Sequence, residues 1–144
     1  KALLVAHGLA TYKTPISQCR EIAVQHGIKG PGDLFRHWLA HGVLLINVAL
    51  TFSSFKDKKR HFEFWRPFHR ALILALNHRR PSPFYILWGK KAQQWQALIK
   101  ENIDDTTKIL TYGHPTFIHQ FLKPDQPEYS PFKEIEQKTG FSWL

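Results

Sequence analysis

Four short apolar runs, residues 2–5, 43–48, 84–88 and 108–112, alternate along this chain with stretches whose apolar residues recur at helical spacing. No other feature constrains the fold as much. Short runs that are apolar throughout suit strands buried on both faces, and strands separated by helix-length segments pair through crossover connections. The expected fold is α/β in three layers, a short central parallel β-sheet flanked by helices. Residues 2–5 are expected as a short strand of that sheet.

The helical stretches carry their own punctuation. Thr14 and Pro15 read as a cap and a first-turn proline, and the segment from Ile16 runs to Gly27, a left-handed terminator. Asp33 can cap a second helix bearing Leu34, Phe35, Trp38 and Leu39 and ending at Gly42. A third pattern, 65–77, places Phe68, Ala71, Leu72, Ala75 and Leu76 on an apolar stripe and accommodates Pro67 in its first turn. A fourth begins after Gly89 with Ala92, Trp95, Leu98 and Ile99 on one face, and the last covers 131–138.

A chain of 144 residues supports one core of ordinary size, so a single domain, 1–144, is expected. Its hydrophobic fraction of 43% excludes a wholly disordered chain. No apolar run approaches the roughly 18 residues of a bilayer span, and no signal-peptide pattern opens the sequence. The expectation is an intracellular, non-secreted protein with no membrane partner, in the cytoplasm of a bacterium or virus-infected cell, or in a nucleus. Cys19, alone, can form neither an internal disulfide nor a cysteine metal cage, and reads as a small buried residue on a helix.

Twenty Lys and Arg against 11 Asp and Glu leave a net charge of +9. The charge is clustered, with Lys56, Lys58, Lys59, Arg60 and His61 in one run and His78, Arg79 and Arg80 in another. Such runs favour a polyanion such as nucleic acid over a merely solvated face.

Parallel sheets bind ligands at the carboxyl ends of their strands, which directs attention to 47–55, 88–90 and 113–119. Asn47 closes an apolar run, where a carboxamide either ties backbone together or reads the edge of a base. His114, between Gly113 and Pro115, reads as a structural histidine or as a site residue at a strand terminus. His37 and His41 lie one helical turn apart, but Trp38 stands where a zinc helix would carry an acid, and no metal or cofactor is expected. There is no Gly-rich phosphate loop, nucleophile elbow or nucleophile triad.

Three segments together resemble the uracil-selective family of uracil-DNA glycosylases: Ala6-His-Gly-Leu-Ala10; Gly42-Val-Leu-Leu-Ile-Asn-Val-Ala-Leu-Thr51; and Leu87-Trp-Gly89, followed after a helix by His114-Pro115-Thr116. Asp33, Leu34 and Trp38 before Gly42, Trp65 and Phe68 after Thr51, and Gln137, Gly140 and Trp143 near the end fall where that family has similar residues.

The resemblance implies a monomeric base-excision DNA repair enzyme that flips uracil out of DNA and hydrolyses its N-glycosidic bond. Asn47 would pair with the uracil edge, and His114 would hydrogen-bond the charge developing on the base oxygen, both facing one cavity. Thr11 falls at the position of the aromatic on which uracil stacks, with Tyr12 beside it as a substitute. Ile118 would be the apolar wedge of a loop, 114–120, that enters the minor groove together with His119. Ser17, Lys90 and Thr116 would grip phosphates, Lys90 in place of a family serine; Lys58, Lys59 and Arg60 add charge for DNA. The implied partner is uracil-containing DNA, single- or double-stranded, with a protein inhibitor or replication partner as a further candidate. Family members carry a Gly-Gln-Asp-Pro-Tyr loop before the segment matching 6–10, where this chain has residues 1–5, so the domain is expected to lack the family's N-terminal portion. The alternative is a glycosylase-fold module of weakened activity that binds DNA or docks a partner.

Overall fold

The computed structural model describes residues 1–144. In chain order the elements are α1 (Ala2–Ala6), α2 (Ile16–Gln25), α3 (Pro31–Ala40), α4 (Lys58–Asn77), β1 (Tyr85–Trp88), α5 (Gly89–Gln93), α6 (Gln96–Asn102), a 3-10 turn (Thr106–Lys108), β2 (Ile109–Tyr112), α7 (Ile118–Leu122) and α8 (Pro131–Thr139). They form two compact units, Lys1–Leu44 with Gly113–Leu144, and Leu45–Tyr112. No helix is long and apolar enough to cross a membrane.

The second unit holds the sheet. β1 and β2 pair in parallel, Tyr85 opposite Ile109 and Trp88 opposite Tyr112, and helices cover them. This is the expected α/β arrangement reduced to two strands. Tyr85 and Leu87, on one face of β1, pack with Ile73 of α4 and Ile99 of α6. Ile99 is 1% exposed, and its burial is worth about 1.5–3 kcal/mol. One polar hub lies inside this apolar cluster. Tyr85 donates its hydroxyl to Asn77 Oδ1 at 2.6 Å, and Asn77 Nδ2 donates to the carbonyl of Ile99 at 3.3 Å, so the end of α4 is bonded to both β1 and α6.

Two expected strands do not form. Residues 2–5 are helical and lie in the first unit, with Leu3, Leu4 and Ala6 buried. A short apolar run is compatible with either structure, and Ala and Leu are strong helix formers. Residues 43–48 are irregular, with Leu44 57%, Leu45 54% and Ile46 37% exposed. A strand needs a neighbour to take its backbone hydrogen bonds, and β1 and β2 pair only with each other.

Helix α4 departs from expectation in three ways. It starts at Lys58, seven residues before 65, so Pro67 sits in its interior, where the missing N–H and the ring's crowding of the preceding turn cost about 3 kcal/mol. Its buried face is centred on His69, Ile73 and Asn77, while Phe68 is 43% exposed. Two of those three residues are polar, so counting apolar positions rotates the predicted face away from the true one. The helix expected after Gly89 is broken at Gln94 and Trp95 into α5 and α6.

The first unit is closed by aromatic contacts. Phe121, Phe132, Trp143 and Trp38 follow one another edge to face at 5.2–5.3 Å. Trp143 Nε1 donates to the carbonyl of Phe132, and Trp38 Nε1 to that of Trp143. Cys19 is buried in α2.

Tyr85→Phe removes the only donor shown to Asn77 Oδ1 and leaves that oxygen buried. Urea denaturation is expected to show a loss of about 1–3 kcal/mol. A loss under about 0.5 kcal/mol would mean the hub does not hold the helix to the strand.

Candidate functional site

Both strands run in the same direction, so their carboxyl ends lie together at one edge of the second unit. β1 ends at Trp88 and passes straight into α5, whose N-terminal residue Gly89 has a φ of 82° that a side chain would make costly. Lys90 follows and is exposed. Gln93 of α5 donates Nε2 to the carbonyl of Tyr112 at 2.8 Å, which ties this short helix to the end of β2. Gln93 was not among the residues singled out from the sequence.

Asn47 belongs to the same unit and is exposed, on the irregular 43–48 segment rather than at a strand end. Two sets of contacts hold the surrounding backbone to α4. His69, only 5% exposed, lies close to the backbone of Val48 and Asn47, which draws its ring toward the charged form. Further along, Thr51 Oγ1 accepts from Trp65 Nε1 at 2.9 Å and lies 2.9 Å from His61 Nδ1. Ser53 donates its N–H to His61 Nε2, while the hydroxyls of Ser53 and Ser54 both donate to Asp57. Those hydroxyls hold the Asp57 carboxyl below the usual carboxylate range, helped by His61 and Arg60. Lys58, Lys59 and Arg60 are exposed on the first turn of α4.

His69 is the residue that sequence reasoning missed most clearly. Its signal was its place in the 69, 73, 77 series, one side chain per helical turn. Burial pushes its ring below the usual histidine range, against the opposing pull of the Val48 and Asn47 backbone. Nε2 is buried without a hydrogen-bond partner, so protonating it would put an N–H where nothing accepts it.

His114 belongs to the first unit, two residues after the end of β2. Its carbonyl accepts from Phe117 N–H at 2.9 Å, and its ring Nδ1 accepts from Thr116 N–H at 3.2 Å. In the neutral ring the proton must then sit on Nε2. The turn thus presents an exposed imidazole whose Nδ1 is already engaged. Gly113, which leads into this turn, lies against the backbone of Gln120 and Phe121 with room for ordinary contact only. Thr116 is exposed; Ile118, the expected wedge, opens α7 and is half-buried, while its neighbour Phe117 is 61% exposed.

Tyr12 and Thr11 lie in the same unit. Tyr12 stacks on His119 with ring centroids 5.1 Å apart and planes inclined by 20°, so one of its faces is already covered. Partial burial raises its phenol above the usual range, with the Asp125 carboxylate adding to the effect. Thr11 is turned into the loop, its N–H donating to Thr14 Oγ1 at 2.8 Å. Ser17 is exposed in the first turn of α2. His37 and His41, 4.4 Å apart by ring centroid, each use one nitrogen on a backbone carbonyl, those of Ser142 and His37.

Curated proteins similar to this chain are named uracil-DNA glycosylase. That of Halalkalibacterium halodurans is 37% identical over 79 residues, 55% of this chain and 34% of the relative. That of Streptococcus pneumoniae strain P1031 is 32% identical over 130 residues, 87% of this chain and 58% of the relative, and that of Chromobacterium violaceum is 35% identical over 100 residues, 67% of this chain and 40% of the relative. The chain thus spans between about a third and three fifths of the length of these relatives. No protein-family model matches it, and no solved structure matches it significantly.

Two outcomes test this geometry. Nitrogen-15 spectra at neutral pH should show His114 as the Nε2–H tautomer, and Thr116→Pro, which removes the N–H donor, should abolish that preference. Because folding holds His69 less basic than in the unfolded chain, the unfolded state takes up its proton first. Stability from this residue is therefore full above about pH 6.5 and declines as pH falls below it. Urea midpoints at about pH 7.5 and about pH 5.5 should differ less in His69→Gln than in the parent chain.

Proposed function

We propose, on the likeness to uracil-DNA glycosylases, that this chain binds uracil-containing DNA, takes the uracil out of the base stack and hydrolyses its N-glycosidic bond. The observation that carries the reading is His114, exposed and held in a turn with Nδ1 accepting from the Thr116 N–H, which leaves Nε2 as the donor of the neutral ring. When water adds to the sugar carbon and the bond to the base breaks, the bonding pair leaves with uracil, and the proton the water gives up returns to the departed base through solvent. A neutral N–H donor at the base oxygen stabilises that charge without itself giving up a proton. Asn47 contributes the paired donor and acceptor that a uracil edge requires, and His69 steadies its backbone. Exposed Lys90, Thr116 and Ser17 are available to phosphates, and Phe117 beside Ile118 gives the 114–120 loop an apolar tip.

The second reading is a DNA-binding or partner-docking module of weakened activity. It is favoured by Asn47 lying on exposed irregular backbone and by the Tyr12 face that His119 covers.

Release of free uracil from a single-stranded uracil oligonucleotide separates the two. The glycosylase reading expects release, a drop of about 10²–10³-fold in rate for His114→Ala with little change in DNA affinity, and impaired uracil recognition in Asn47→Asp. Binding without any release selects the module; release unchanged in both variants removes these residues from the site.

A further inference from the structure

The first turns of α4 and the whole of α5 build a feature that the uracil site does not use. Two ammonium groups from different helices converge on one ring: Lys91 Nζ lies 5.0 Å and Lys58 Nζ 5.8 Å from the centroid of Phe62. Neither lysine, nor Lys59 beside them, has a carboxylate partner within ion-pair distance; Glu63, which lines the same trough, faces Arg66 at 3.8 Å. Beside the ring runs a trough of about 500 Å³ lined by Lys59, Phe62, Arg66 and Lys91, among others. It shares Glu63, Arg66 and Gln94 with a second cavity of about 510 Å³ that continues along α4 to Arg70 and Trp95.

The charges of this trough are laid out in a line. Residues 59, 63, 66 and 70 recur at helical spacing on one face of α4, a stripe of roughly 16 Å at about 1.5 Å per residue. Lys59, Arg66, Arg70 and Lys91 line the two cavities together with Glu63 and Glu101, four cations against two acids, and Lys58 lies beside the same ring. Like charges gathered without counter-charge cost folding energy unless an anion spreads along them, and a line of them suits a chain of phosphates better than one isolated phosphate. Phe62 and Trp95, both half-buried, add aromatic surface of the kind on which unpaired bases stack. At its α5 end the trough adjoins Lys90, one residue from Lys91, so a strand gripped at the end of β1 leads directly into it.

We propose that this trough is a second nucleic-acid contact, a track for single-stranded DNA running from the end of β1 along α4, with Lys59, Arg66 and Lys91 on the phosphates and Phe62 at its floor. The assignment of DNA as the polyanion rests on the function proposed above. The track itself needs no uracil.

The test is fluorescence-anisotropy titration of the full chain with labelled oligothymidylates of increasing length, free of uracil, over a range of salt. Affinity should rise with length, and Lys59→Ala, Arg66→Ala and Lys91→Ala together should lower the slope of log affinity against log salt by about 2 and weaken the long oligonucleotide at least tenfold. Glu63→Gln should strengthen binding, an outcome that a damaged fold cannot produce. An unchanged salt slope in the triple variant overturns the track, as does an equal loss for duplex of the same length, which would assign the trough to double-stranded DNA. Uracil release is read separately. Absent release with oligothymidylate binding sensitive to these variants fails the glycosylase reading and keeps the track; release with insensitive binding does the reverse.

Discussion

A buried carboxamide sets the geometry of the second unit. Two strands of four residues each share few ladder hydrogen bonds, and an isolated ribbon of that size is marginal in water. Apolar packing of Ile73, Leu87 and Ile99 supplies attraction but no direction. Asn77 supplies the direction, because its oxygen and nitrogen are each committed, one to Tyr85 on β1 and one to Ile99 on α6. Rotating α4 by one residue would break both bonds. The same rotation fixes which face His69 presents, and so which stretch of irregular backbone lies against the helix.

The parts of the fold that were legible in the sequence are those whose signal is local. Gly27 and Gly42 ended helices where expected, each with a φ of 80°, and the last helix opens at Pro131 as expected. β1 and β2 were legible because each apolar run had the other as partner. The run at 43–48 has the same composition and no partner, and a single sequence does not say which of four similar runs will pair. Residues 2–5 failed for a different reason: Ala and Leu serve a helix as well as a strand, and what decides is the packing of Leu3 and Leu4.

Within the candidate site, His114 was readable because Gly113 and Pro115 punctuate its turn. The Thr116 N–H that fixes its tautomer was not, since backbone donors carry no residue code. Tyr12 was named as a wall for a base, but its stacking on His119 depends on residues more than 100 positions apart. His69 escaped notice because a polar side chain on a buried stripe looks like a break in the pattern. Here it is one of the pattern's centres.

The irregular 43–48 run also bears on how the protein behaves as a solute. Leu44, Leu45 and Ile46 are exposed in succession, and Phe52 and Phe55 follow at 62% and 83% exposure. Irregular backbone carrying such exposed side chains is adhesive toward another copy. What opposes adhesion is the net charge of +9, and its reach is about 30 Å at 0.01 M salt but only about 8 Å at 0.15 M. Colloidal stability in this chain is therefore governed by ionic strength. Dilute buffer keeps copies beyond contact, and moderate salt lets the apolar segment meet its equal.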